Sequence, residues 1–428
     1  MVISSAARRA QSDPTPMPEL EKVLDEELNV DFEGSKLGDE QQQLMRGLLG
    51  EFKAMFGETS MTPGRTDLLE FEIDSGTHPP IKPRLYRVSK AEGGVMEAEI
   101  QQYQSLGHIR PSTSPWTSPE LMIRKPDDGI RFCIDYRRLD AVTVKDRYPM
   151  PLIDDILDVL GKAKLFSTMD IASGYWNVPM TASSVEKTAF TCKYGLFVWL
   201  VMPFGLCNAV PAFERLMEGV LVDLKWRTCL VYLDDCVVFS EDFPTHLVRL
   251  RQVLERFRDA GFKLKMKKCR WGRDQVSFLG HVVTPAGILP NPEKVKAVIN
   301  VQRPHDLHTV RAFLGLTSYF RRYIPGFAGI SAPIEHLKVK GAEFSWTDDC
   351  EDAFLQLKRR LFEPPILVYP DFSKRFKLYV DSSNLAVGAC LMQTVDGRER
   401  VVAYASKLLV GSEKNWIRKE DGTSEIEC

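Results

Sequence analysis

Residues Cys229 to Ser240 read Cys-Leu-Val-Tyr-Leu-Asp-Asp-Cys-Val-Val-Phe-Ser, two adjacent carboxylates between short β-branched and aromatic runs. Such runs on either side of a polar pair predict a buried hairpin with its charges at the turn. Two carboxylates forced together in an apolar frame repel and resist desolvation, so they need a cation or protons beside them. Mg²⁺ suits them. It takes one or two protein carboxylates and fills its shell with phosphate oxygens, and paired metals clamp the attacking and leaving oxygens of a phosphoryl transfer. Taken alone, the dipeptide is more often an ordinary surface turn. The surrounding chain has to decide.

With 428 residues, 44% hydrophobic and 27% charged, the chain predicts two to four domains with a full core. A net charge of −2 does not advertise a nucleic-acid partner, so any basic footprint must be local. One stretch qualifies: Lys263, Lys265, Lys267, Lys268, Arg270 and Arg273, which reads as a solvated face or, beside a metal cleft, as a track for a phosphate backbone. The nine cysteines include no CxxC pair, which argues for a reducing compartment and against a disulfide framework or zinc module. No apolar run approaches membrane-spanning length and Met1 to Arg9 lacks a signal segment, so the expectation is a soluble intracellular protein, cytoplasmic or nuclear, with no membrane partner.

Read in order, residues 1 to about 37 are a polar lead-in. Leu44, Met45, Leu48, Leu49, Phe52, Met55 and Phe56 recur at helical spacing and predict one amphipathic helix stopped by Gly57. Asp74-Ser75-Gly76 is the triplet of aspartic proteases, but Pro79 and Pro80 follow and bar the sheet interior such an enzyme needs. Ala91 to Leu106 predicts a helix. Leu121 to Tyr136 predicts a two-stranded ribbon turning at Pro126 to Gly129, with cations beside the turn. Phe166 to Ile171 is a short strand bearing Asp170, which leads into a Gly-aromatic turn and projects a carboxylate into a cleft, or else serves as a cap. Helices follow at about Ala212 to Leu224, at Leu247 to Phe257 ending with Gly261, and through most of Val295 to Tyr323 with breaks at Pro304 and Pro325. Beyond a composition shift at Lys338 to Phe344 come a helix from Asp348 to Phe362 and strands at Arg375 to Val380 and Val387 to Gln393.

Six strings carry a family resemblance: Ser114 to Pro119, Arg131 to Leu139, Phe166 to Tyr175, Met202 to Ala209, Val231 to Asp235 and Phe278 to His281. In this order and spacing the chain, from about Pro79 to Trp416, resembles the polymerase region of gypsy-type LTR retrotransposon Pol polyproteins, a reverse transcriptase with the start of an RNase H domain. The resemblance implies an α+β right-hand polymerase with fingers, thumb and an antiparallel palm sheet, followed by a truncated RNase H-like α/β domain. It divides the chain into a lead-in (1–78), fingers and palm (79–283), thumb and connection helices (284–343) and the RNase H-like part (344–428). It makes Asp170, Asp234 and Asp235 the catalytic, metal-binding triad for two Mg²⁺ ions, with Mn²⁺ as a substitute. Tyr175 becomes the gate against a 2′-hydroxyl, Arg131 and Lys125 the cations on the triphosphate, Phe204 and Gly205 the nucleotide-pocket turn, and Tyr232 and Leu233 further nucleotide contacts. Phe278, Leu279 and Gly280 become the primer grip. The implied partners are dNTPs and a primed RNA or DNA template, with a homodimer admitted.

Two residues depart from the family pattern: Pro211 lies one place late, which threatens the following helix start, and Asn177 stands where Gln is commoner. Asp381 matches the first RNase H carboxylate and Glu427 the second if Ile417 to Thr423 includes an insertion; with the remaining carboxylate absent, RNase H activity is not expected. A degenerate product that binds nucleic acid without catalysis is the alternative reading.

Overall fold

The runs flanking Asp234 and Asp235 pair as the pattern requires. Cys229–Tyr232 and Asp235–Ser240 form an antiparallel hairpin closed by Tyr232 opposite Asp235. The computed structural model describes residues 28, 30–57, 63–83, 86, 89–124, 129–339, 341, 344–415 and 424–427. In it the hairpin is half of a four-stranded antiparallel sheet in the spatial order Arg270–Arg273, Leu165–Asp170, Asp235–Ser240, Cys229–Tyr232. Strand side chains alternate between faces, and here both faces are covered, which is why the run is continuously apolar. Val231, Cys236 and Val238 enter one core with Phe213, Leu250 and Phe257. Leu230, Val237 and Phe239 enter a second with Ile156, Phe278 and Phe313.

The helices Ala209–Val220 and Phe243–Asp259 lay their buried apolar faces into the first core. Asp242 caps the second by accepting from Thr245 N at 2.9 Å, and Gly261 ends it at φ +76. No other residue fits there, since a Cβ on Gly261 would stand 2.1 Å from the Arg65 carbonyl oxygen. The displaced Pro211 is harmless: it is the third residue of its helix, where the N–H it lacks would have no intrahelical acceptor.

The predicted ribbon, Ser118–Arg124 with Ile130–Ile134, is the edge of a five-stranded sheet completed by Phe190–Cys192, Gly195–Trp199 and Ile109–Pro111. A helix at Lys90–Ser105 begins with a capping box in which Ser89 N–H donates to Glu92 at 2.7 Å. After the palm-like sheet come a three-stranded meander (Val276–Phe278, His281–Thr284, Gly287–Pro290) and helices at Pro292–Ile299, Leu307–Tyr319, Phe327–His336 and Asp348–Phe362. The last sheet has the order Arg398–Leu408, Ala386–Val395, Lys377–Ser382, Ser424–Glu427.

The N-terminal expectations need correction. The helix covers Asp39–Glu51 and stops well before Gly57, because Phe52 leaves helical geometry and Phe56 turns edge-on to the buried Trp271, 6.0 Å between ring centres. Phe56–Gly57 then pairs in parallel with Leu264–Lys265. Val30, Met45, Leu49, Phe52, Phe71 and Ile73 belong to the same core as the sheet, so residues 30–57 and 63–73 pack as part of it. Among the described residues no helix is long and apolar enough to cross a membrane.

Candidate active site

Register fixes the central geometry. Asp170 ends its strand directly opposite Asp235, so the two carboxylates leave the same face of the sheet at its rim. Asp234 lies in the turn beside them, where its carbonyl accepts from Ile171 N at 3.3 Å. Crowding shows in their chemistry: Asp235 is pushed up to about 6, first by burial and then by the charges of Asp234 and Asp170. Asp234 is raised as well, by burial and then by the charge of Asp170. Lys268 answers this excess of negative charge, with Nζ 2.6 Å from Asp170 Oδ2.

Asp170, Asp235 and Lys268 line a groove of about 500 Å³ together with Arg270, Arg273 and Phe278. The basic run thus borders the carboxylates, although Arg270 and Arg273 also lie 3.8 and 3.5 Å from Asp31. A second cavity of about 550 Å³ is lined by Arg131, Ser173, Trp176, Phe204 and Gly205. Tyr175 stands beside it, with ring centres 5.1 Å from Phe204 and 5.5 Å from Phe213, and is pushed up to about 12 by burial and by Asp234 and Glu214. Lys125 lies outside the described residues.

The turn that carries Tyr175 is tightly held. Ser173 is left-handed at φ +47, and the buried Asn177 amide donates to the carbonyls of Ala172, Ser173 and Gly174 at 3.0, 3.2 and 3.0 Å. Asn177 is therefore a brace for the turn. Gly174 leaves little spare room there, since a Cβ would stand 3.0 Å from Phe213 and 3.4 Å from Asp234 Cβ.

Phe278, Leu279 and Gly280 form the hairpin turn before His281, with Leu279 and Gly280 both left-handed. Tyr319 clamps it from the neighbouring helix, its hydroxyl donating to the Leu279 carbonyl at 2.5 Å. The other sequence candidates stand apart. Asp381 sits on Lys377–Ser382 opposite Gly388, whereas Glu427 pairs with Lys377, four positions back along that strand. Asp74 is exposed and accepts from Gly76 N at 2.9 Å in a surface turn.

Two residues escaped the sequence reading. Lys268 was one cation in a run. Glu214 carries a legible signal: an acid at a helix position whose neighbours Phe213, Met217 and Val220 all face the core. Its Oε2 accepts from Leu233 N at 2.7 Å.

The fold is the right-hand architecture of the reverse transcriptase class. Residues 123–283 match the family described as reverse transcriptase (RNA-dependent DNA polymerase), and residues 346–421 match the RNase H-like domain found in reverse transcriptase. The chain is similar to the Pol polyproteins of retrotransposons, gypsy of Drosophila melanogaster among them. It is 37% identical over 398 residues to the retrovirus-related Pol polyprotein from transposon 297 of Drosophila melanogaster, covering 91% of this chain and 37% of that protein. The Pol polyprotein from transposon opus of the same species is 36% identical over 400 residues, 89% of this chain and 40% of that one. The chain thus spans about two fifths of the length of these relatives. A foamy viral protease-reverse transcriptase solved in complex with RNA/DNA hybrid shares the fold at TM-score 0.78 and 24% identity, over 89% of this chain and 52% of that one. A second such structure, in complex with double-stranded DNA, gives 0.79 at 23%, over 94% and 71%.

A divalent cation is the general cofactor of this family, and the donor set fits one. Hard carboxylate oxygens meet at a groove rim, underneutralised except for the Lys268 ammonium. Among the described residues no three acidic, His or Cys side chains close into a cage.

Proposed function

We propose that this chain is an RNA-directed DNA polymerase that adds dNTPs to a primer 3′-hydroxyl on an RNA or DNA template. The observation that carries the reading is the pairing of Asp170 opposite Asp235, beside Asp234, at the rim of a groove with cations on one wall. Asp170 and Asp234, with Asp235, would hold two Mg²⁺ ions, and Mn²⁺ would serve in their place. When bound, these ions supply a deprotonated primer hydroxyl and charge compensation for the leaving pyrophosphate.

The protein itself positions and excludes. Arg131 faces the second cavity, where a guanidinium can pair with a triphosphate. Phe204 and Gly205 floor that cavity, and the Tyr175 ring packs at a tilt against Phe204 where a sugar 2′-hydroxyl would intrude. Tyr232 and Leu233 flank the acids, and the Phe278–Gly280 turn would hold the primer strand. The basic groove supplies the salt-dependent share of template affinity. We assign fingers and palm to residues within 79–283, packed against by residues 30–57 and 63–73, thumb and connection to 284–343, and the RNase H-like part to 344 onward.

The test is dNTP incorporation on a primed RNA template with Mg²⁺, beside Asp234→Asn. The expected result is extension by the parent protein alone. Equal signal from both, or retention of primer-template with no extension by either, would overturn the assignment.

A further inference from the structure

The two acids of the hairpin sit on a turn with a weak point. Leu233, the first central residue, has φ +57, a conformation that a tight hairpin usually gives to glycine. Its N–H points out of the ladder, where strand pairing offers no acceptor. One group meets it. The carboxylate of Glu214, wholly buried on the helix behind the sheet, accepts that N–H at 2.7 Å through Oε2. Its other oxygen, Oε1, has no hydrogen-bond partner among the described residues and lies 3.9 Å from Lys225 Nζ.

From there the contacts run outward. Lys225 pairs with Glu218, Glu218 accepts from the Tyr148 hydroxyl, and the Arg215 guanidinium lies over the Tyr148 ring at 4.6 Å while bonding Asp146 at 2.7 Å. A buried acid without a full set of partners is a poor way to stabilise a helix and is raised above its ordinary range by desolvation. Its place there makes sense if the Leu233 N–H is what it is for.

We propose that Glu214 is a positioning residue for nucleotidyl transfer: by accepting the Leu233 N–H it fixes the strained turn that aims Asp234 and Asp235 at the groove. This rests on the polymerase reading for its consequence, but the brace itself is a property of the chain. Removing the acceptor frees the turn and lets the two carboxylates wander relative to Asp170. Misplacement of about 1 Å is enough for a drop on the order of a hundredfold in turnover.

The test compares Glu214→Gln, which keeps a carbonyl acceptor of the same length, with Glu214→Leu, which keeps volume and loses the acceptor. Both are made in the full chain. Deuterium uptake of the peptide spanning residues 229–240 is read without added metal or substrate. It is expected to rise in Glu214→Leu and stay near parental in Glu214→Gln, with other palm peptides unchanged. Mn²⁺ affinity by electron paramagnetic resonance should weaken roughly tenfold, and kcat fall about a hundredfold at near-constant primer-template affinity, in Glu214→Leu only. Uptake and Mn²⁺ affinity in Glu214→Leu equal to the parent would overturn the proposal, as would equal losses in both variants, which mean that only the charge matters. A parent protein that extends nothing would overturn the polymerase reading and leave the uptake comparison to judge the brace.

Discussion

Acid should loosen this palm through one buried histidine. His246 is fully buried, with Nε2 2.7 Å from Ser167 Oγ and Nδ1 3.0 Å from Ser240 Oγ, and Ser167 Oγ also accepts from Gly272 N at 3.0 Å. The ring therefore ties the Asp170 strand, the Asp235 strand and the edge strand to the helix Phe243–Asp259. Burial, helped by the Arg249 cation, lowers it from 6.5 to about 4. The unfolded chain takes up this proton near 6.5 and the folded one only near 4, so the stability contribution is complete above about pH 6.5 and is lost as pH falls toward 4. At about pH 5 the loss from this one group is about 2 kcal/mol. Buried acids raised in the folded state, such as Glu120 and Glu214, act with the opposite sign, so the total slope of the parent is not diagnostic. The informative quantity is a difference. Urea unfolding followed by tryptophan fluorescence at about pH 7.5 and about pH 5, for the parent and for His246→Gln, should show the parent losing about 2 kcal/mol more than the variant over that interval. Parallel losses in the two proteins would refute the reasoning, whatever their absolute stabilities.

Three further outcomes are expected. Lys268→Met removes a competitor for the Asp170 carboxylate, so Mn²⁺ should bind more tightly by up to about fivefold, the limit set by a half-exposed pair worth at most about 1 kcal/mol; weaker binding in a magnetic-resonance titration would contradict it. Tyr175→Val opens the space beside Phe204, and discrimination against ribonucleotides in single-turnover extension should fall roughly 10–100-fold. Glu120 is 2% exposed and its Oε2 lacks a partner among the described residues, so burial raises it. The neutral Glu120→Gln should gain about 1 kcal/mol in urea unfolding at neutral pH, a gain that shrinks as acid protonates the parent carboxyl.

What the sequence made legible follows local pattern. The hairpin around Asp234, the strand ending at Asp170, the helix stopped by Gly261 and the helix Asp348–Phe362 all announce themselves by period, cap or turn chemistry. The pairing of Asp170 with Asp235 does not, because register between strands distant in sequence is set by which faces bury against the two cores. For the same reason the Phe56–Gly57 strand was hidden inside an apparent helix: its apolar residues fit helical spacing, and only the pocket around Trp271 decides otherwise. The roles of Lys268 and Asn177 were illegible, since each acts through a partner from elsewhere in the chain or through backbone geometry that residue type alone does not specify; Glu214 stood out by its place on a buried helix face, but its partner, the Leu233 N–H, did not.

The parallel bridge between Phe56 and Leu264 joins positions 208 residues apart (264 − 56 = 208). A nascent chain leaving the ribosome therefore carries Met45, Leu48, Leu49 and Phe52 without their cover until nearly two thirds of this sequence has been translated. A recombinant fragment cut to begin at residue 123, where the reverse transcriptase family match starts, would leave the bed for those side chains bare. Yield and clumping of that fragment should improve when residues 30–73 are supplied in trans.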